Sequence, residues 1–356
     1  MQVIRAALTS ALFFLMIPTA SASPGVEGSR NLGLGNGGRA SAYGVSGALI
    51  NPSNLGFNQL FAVEPMYQLH LPSRTHGIGI AVVDSLNNSR ISLGLGYLFL
   101  KGTPTITFPT VDMPERELEL SRFGHEAFGA IGITVIKQWL GIGLKPKYQY
   151  ASLRFRDDVG LARNATKRLS AFGLDTSVTL NIAGWVALAA IANNVTGNTP
   201  PPYTDERDID GLDTVGIVEG SEINYDKLPE LSEYALTFEH GLSVFPLHHP
   251  DFSLNFDGIY DFTTYSFEDH TRVQLGGSAE YVLGPVPLRF GTLWDGRGKG
   301  DDDDRFYLSG GIAYVKPAKV GGVGIDAGFS FRQQVSGPNK DTFLGLNLGI
   351  RIHPDL

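Results

Sequence analysis

The chain has 356 residues, 44 of them glycine and none cysteine, with 18% charged residues and a formal net charge of −8. Glycine stands above its usual share of about 7% and charge below its usual ~25%. This excludes disulfide scaffolds, thiolate metal sites and cysteine nucleophiles. The negative balance argues against a nucleic-acid partner, and no apolar run beyond the N-terminus reaches the ~20 residues of a membrane helix.

Residues 1–22 read as a secretory signal peptide: Arg5, an apolar stretch over 6–17, and the small-residue cleavage site Ala20-Ser21-Ala22. Residues 23–60 show no alternation and are rich in Gly, Ser, Ala and Asn. No strand precedes their glycines and no βαβ helix follows, which argues against a nucleotide loop. The core Ala48-Leu49-Ile50-Asn51-Pro52-Ser53-Asn54-Leu55 pairs an Asn-Pro turn initiator with apolar flanks. It is expected to fold inward as a plug, with Asn51, Pro52 and Leu55 forming its turn.

Residues 61–356 alternate with period two, the signature of strands that show opposite faces to different surroundings. Ile91, Leu93, Leu95, Tyr97 and Phe99 share one face against Ser92, Gly94 and Gly96, and Leu144, Pro146, Tyr148 and Tyr150 oppose Lys145, Lys147 and Gln149. Fourteen such segments fall near 61–71, 77–84, 90–101, 122–136, 139–153, 168–181, 184–193, 232–244, 251–262, 271–282, 286–294, 304–315, 321–332 and 342–353. Most are about ten residues or slightly longer, the length a tilted strand needs to cross a bilayer. Gaps after even-numbered segments are short; those after odd-numbered ones are mostly longer, 72–76 excepted. Outer-membrane barrels sort their turns and loops this way, whereas a soluble sandwich has no reason to. The expected fold is an all-β, 14-stranded antiparallel transmembrane β-barrel with an N-terminal plug segment. An even strand count would put both termini on the periplasmic side. Tyrosines and phenylalanines near strand ends, such as Tyr148, Tyr260 and Tyr281, fit interfacial girdles.

The polar face defines a lumen. Its candidates are Arg90, Glu126, Lys145, Lys147, Asp175, Arg272, Glu280, Arg289 and Arg351, together with Glu64, Gln68, His70, Asp257 and Asp326. Their mixed signs suit a hydrogen-bonded network better than an ion-selective constriction. No catalytic constellation is present: His240 and Ser243 fall on opposite strand faces, and His248-His249 lacks further ligands for a metal shell. The expectation is a non-enzyme without cofactor or metal. Asp301, Asp302, Asp303 and Asp304 read as a solvated loop tip, with bridging divalent ions as the alternative. The stretches 194–231 and 102–121 could form a greasy capture surface.

Ala48, Asn51, Pro52 and Leu55 resemble the A-x-x-x-N-P-A-x-L motif of the FadL family of long-chain fatty-acid transporters and their relatives, including PorV-type barrels. Leu188–Asn194, Leu228-Pro229, and Val273–Tyr281 followed by Leu288-Arg289-Phe290-Gly291 resemble further stretches in the same order. The resemblance implies a fourteen-strand barrel in the outer membrane, among lipid and lipopolysaccharide. Its implied activity is passive uptake of hydrophobic small molecules past the plug and sideways into the membrane. The alternative is a PorV-like barrel that binds an export-machinery protein in secretion or surface attachment. Tyr43–Gly47 and Ser53 depart from the family pattern, which separates the fold expectation from fatty-acid specificity.

Overall fold

A computed structural model describes residues 26–86, 88, 90–103, 105–108, 116–156, 166–196, 236–261, 272–296, 304–316, 322–337 and 341–352. The signal peptide, Asp301–Asp303, residues 104 and 109–115 of the 102–121 stretch, and residues 197–231 lie outside them. The strands are β1 (Phe61–His70), β2 (Thr75–Asp84), β3 (Ile91–Gly102), β4 (Thr105–Phe108), β5 (Arg116–Ile136), β6 (Leu140–Arg156), β7 (Thr166–Ile182) and β8 (Val186–Asn193), then β9 (Thr237–Val244), β10 (Phe252–Asp261), β11 (Arg272–Leu283), β12 (Val286–Gly296), β13 (Arg305–Lys316), β14 (Val323–Ser336) and β15 (Thr342–Ile352).

Each strand pairs antiparallel with its neighbours, and β1 closes the ring on β15 from Phe61↔Ile352 to His70↔Phe343. β4 continues β3 along β5 in unbroken register, Gly102↔Arg122 being followed by Thr105↔Glu119. The wall therefore has the fourteen strands that the alternation predicts. The β5 hairpin extends further than expected, beginning at Arg116 instead of near 122. Residues 117–121 do alternate, as Glu-Leu-Glu-Leu-Ser, but in the opposite phase to Phe123, His125 and Ala127, which hides their continuity with the strand. β9 begins at Thr237, later than the expected 232.

Burial along the wall is inverted relative to a water-soluble protein. Leu95 is 68% exposed and Phe172 69%, whereas Gln149 and Asn255 are 0% exposed. Ile78, Ile80, Leu93, Ile325, Leu346 and Leu348 add to the outward apolar belt. Aromatic rings cluster on the same face, Phe99 meeting Phe123 edge-on at 5.2 Å and Tyr148 meeting Phe172 at 5.0 Å. Leaving so much apolar area in water is unfavourable by about 25 cal/mol per Å², so the belt calls for an apolar surrounding.

The segment from Val26 to Leu60 lies inside the ring. It contains α1 (Ser29–Gly33), α2 (Gly44–Ile50) and a 3-10 turn over Pro52–Phe57. The chain makes a lap of the inner wall. α1 lies against β13 and β14 at Gly311 and Ser330, Leu34 and Gly35 against β12 at Gly291, Gly38 and Arg39 against β10 at Asp257, Ala48 against β3 at Gly94, and Ser53 against β6 at Gly143. Close approach demands glycine at two of these points. A Cβ at Gly291 would lie 2.6 Å from Gly35 N, and one at Gly143 2.6 Å from the Pro52 carbonyl carbon, too close for any side chain. Val26 lies beside Gly77 and Gln68, toward the long connections, whereas Ile352 pairs with Phe61 at the short-turn end. The two ends of the described chain thus sit at different levels of the barrel.

Candidate functional site

The Asn51-Pro52 turn is built from its own side chains and the wall. Asn51 Nδ2 donates to Arg39 O at 2.8 Å and to Thr179 Oγ1 at 2.9 Å, and Asn51 Oδ1 accepts from Ser53 Oγ at 2.5 Å. Ser53 N donates to Ser177 Oγ at 3.0 Å. Pro52 opens the 3-10 turn, where a missing N–H costs nothing. Leu55 is 2% exposed, within an apolar cluster that includes Ala48, Leu49, Met66, Val83, Leu98 and Phe128. All three predicted turn residues are therefore buried where the inner segment meets β5–β7.

Eight of the nine singled-out lumen residues face inward and are paired. Glu126 accepts from Gln149 Nε2 at 2.6 Å and lies 3.3 Å from Lys145 Nζ, which also donates to Leu49 O at 2.9 Å. Lys147 pairs with Asp175 at 2.7 Å. Arg272 forks onto Asp295 at 2.7 and 2.6 Å, and Arg351 pairs with Asp326. Glu280 sits between Arg289 at 2.9 Å and Arg30 of α1 at 2.5 Å. Arg90 is the correction. It shares the inward phase of Ser92, but it precedes β3 at the short-turn end and is exposed. Its backbone is engaged, N donating to Asn88 Oδ1 and O accepting from Thr134 N. Phase along a strand says which way a residue points, and only the strand's end says whether a wall stands opposite it.

Sequence reasoning missed the inner segment's own charges. Arg39 pairs with Glu239 at 2.5 Å, and Asp257 accepts the backbone N–H groups of Gly38 at 2.7 Å and Arg39 at 2.9 Å. Glu27 receives a two-pronged Arg332 at 3.0 and 3.1 Å, with Arg332 lying 4.5 Å over the Phe343 ring. Arg305 pairs with Asp341 at 2.6 Å, and His70 reaches the other Asp341 oxygen at 3.1 Å. A usable signal existed: Arg30 and Arg39 are cations within a glycine-rich stretch that, once folded into a barrel, must find carboxylates.

Above the inner segment lies a cavity of about 600 Å³. Its floor is made by Val26, Glu27, Arg39, Leu49 and Ile50, and strands from β1 round to β15 supply its walls. Outside the wall, Leu95, Tyr97, Pro146, Tyr148 and Phe172 line an apolar groove. There the β5–β6 ladder lapses: Phe128↔Lys147 and Ile131↔Leu144 are paired, but Gly129 and Ala130 are not paired with Pro146 and Lys145. Pro146 has no N–H to donate. His240 stacks on Tyr260 at 5.6 Å outside the wall, whereas Ser243 Oγ donates to Asn255 Oδ1 at 2.7 Å inside it. The two therefore form no nucleophile–base pair.

The sequence matches no family model and no curated protein. Solved structures do match in fold. The CymD monoaromatic hydrocarbon channel aligns with a TM-score of 0.60 at 12% identity, over 94% of this chain and 100% of that one. The Ralstonia pickettii toluene transporter TbuX aligns at 0.55 and 11%, over 92% and 98%. The Pseudomonas putida toluene transporter TodX aligns at 0.54 and 10%, over 94% and 99%. At such identities the likeness is one of fold: the chain shares the barrel fold of these three channels.

Proposed function

We propose that this protein is an outer-membrane channel for the passive uptake of small hydrophobic molecules, with residues 26–60 acting as its plug and the short turns facing the periplasm. One observation carries the reading: a closed wall, apolar outside and polar inside, whose lumen is occupied by the chain's own N-terminal segment. Only a closed barrel or a helix satisfies every backbone group in lipid, and the outward belt supplies the lipid-facing surface. Three structures of the same fold carry names of hydrocarbon or toluene transport, which supports an apolar cargo. The lapse in pairing beside Pro146 supports a sideways exit there, because a wall without its ladder bonds opens at less cost. An apolar molecule leaving into lipid avoids a second transfer through water.

The test is deletion of residues 26–55 followed by planar-bilayer recording. Conductance should rise while the barrel keeps its heat-modifiable gel mobility. An assembled deletion barrel with unchanged conductance would refute the plug.

A further inference from the structure

The cavity above the inner segment is lined by six Lys or Arg residues and seven Asp or Glu residues. The charges are interleaved in pairs, as Lys147–Asp175, Arg272–Asp295, Arg305–Asp341 and Arg332–Glu27 show. Such a lining has no dominant sign with which to attract an ion, and an ion of either charge meets its like at every step. A bare hydrocarbon fares poorly for another reason. It would take water away from charged side chains and offers no hydrogen bond in return. Ile259, Leu293 and Phe343 are interspersed among the charges, and one side is a continuous apolar face. Val26, Leu49 and Leu98 belong to a single packed apolar cluster and line the same space, with Leu100 beside them. The cavity therefore joins an apolar face to a charge-balanced polar one, within the 300–1,000 Å³ usual for small-molecule sites.

We infer that this cavity selects neutral amphiphiles, apolar molecules bearing a hydroxyl or carbonyl group, over bare hydrocarbons and over ions. The apolar body lies on the Leu98 side, and the polar group takes the place of water against the ion pairs. The inference rests on the channel reading and narrows its cargo.

The test compares three probes of matched apolar body: ethylbenzene, 2-phenylethanol and phenylacetate. Uptake is measured in cells with and without the protein, and the difference is the protein-dependent rate. One neutral hydrogen bond contributes about 1 kcal/mol, so 2-phenylethanol should exceed ethylbenzene by about fivefold, and phenylacetate should trail both. In the double variant Arg332→Met/Glu27→Leu, which removes both members of one pair, the preference for the alcohol should shrink. Equal or faster ethylbenzene uptake, or fastest phenylacetate uptake, overturns the inference while leaving a channel. An unchanged preference in the double variant overturns this lining as its source. No protein-dependent uptake of any probe, with the barrel assembled, overturns the channel reading and the inference with it.

Discussion

Replacing Asp257 with alanine should free the middle of the inner segment. Its carboxylate accepts the backbone N–H groups of Gly38 and Arg39 at 2.7 and 2.9 Å, and the residue is 6% exposed. Hydrogen bonds to a charged group contribute about 1.5–3 kcal/mol each. Loss of both lowers the free energy of local opening by roughly 3–6 kcal/mol, because the two buried N–H groups are left without an acceptor. The absence of native cysteine makes the assay clean. In an Ala42→Cys background, where the residue is 3% exposed, a water-soluble maleimide reports opening directly. Labelling should accelerate by about 10²–10⁴, since each 1.4 kcal/mol is a factor of ten. Asp257→Asn keeps an uncharged acceptor and should fall near the lower end of that range. Labelling of the Asp257→Ala barrel at the parent rate, with the barrel assembled, would refute the claim that this carboxylate holds the segment.

Gly143→Val should displace the Pro52–Ser53 turn without touching the outer face, because even a Cβ there would lie 2.6 Å from the Pro52 carbonyl carbon. Maleimide labelling in the same Ala42→Cys background should rise. Gly184→Ala, at φ +74° with nothing within 4 Å, should cost only about 1–3 kcal/mol of backbone strain and leave labelling unchanged. A disulfide from Gly129→Cys/Pro146→Cys, spanning the lapsed pairing, should block uptake of an apolar probe reversibly with reductant while ion conductance stays constant. Loss of both, or of neither, would remove the sideways exit from this position. Asp341, at the entry to β15, should make the mouth acid-sensitive. Burial raises its pKa, but the hydrogen bond from His70 and the Arg305 charge outweigh this and hold it below the ordinary value. A depressed carboxylate stabilises above its unfolded pKa, near 3.9, and that stability is lost as pH falls through the folded value. The gel-shift temperature should therefore drop between pH 5 and pH 3 in the parent and stay flatter in Asp341→Asn.

The wall was readable because the strand period is two: Leu144, Pro146 and Tyr148 face out, and Lys145, Lys147 and Gln149 face in. The fourteen-strand count followed from the same signal. The extension of β5 to Arg116 was missed because the alternation over 117–121 runs in the opposite phase to Phe123, His125 and Ala127. Arg90 misled because phase carries no information about height.

The inner segment divides in the same way. Its Asn-Pro turn and apolar flanks were local features, so Asn51, Pro52 and Leu55 could be singled out from the sequence. Its partners could not. Arg30 meets Glu280 across 250 residues, and Gly38 meets Asp257 across 219. The sequence by itself determined that the chain would form a closed sheet, apolar on one face and polar on the other, because alternation is written residue by residue. Only the tertiary structure decided which charges meet inside and how the N-terminal lap is held. Those contacts join residues hundreds of positions apart, and a segment without regular period carries no phase from which its neighbours could be inferred.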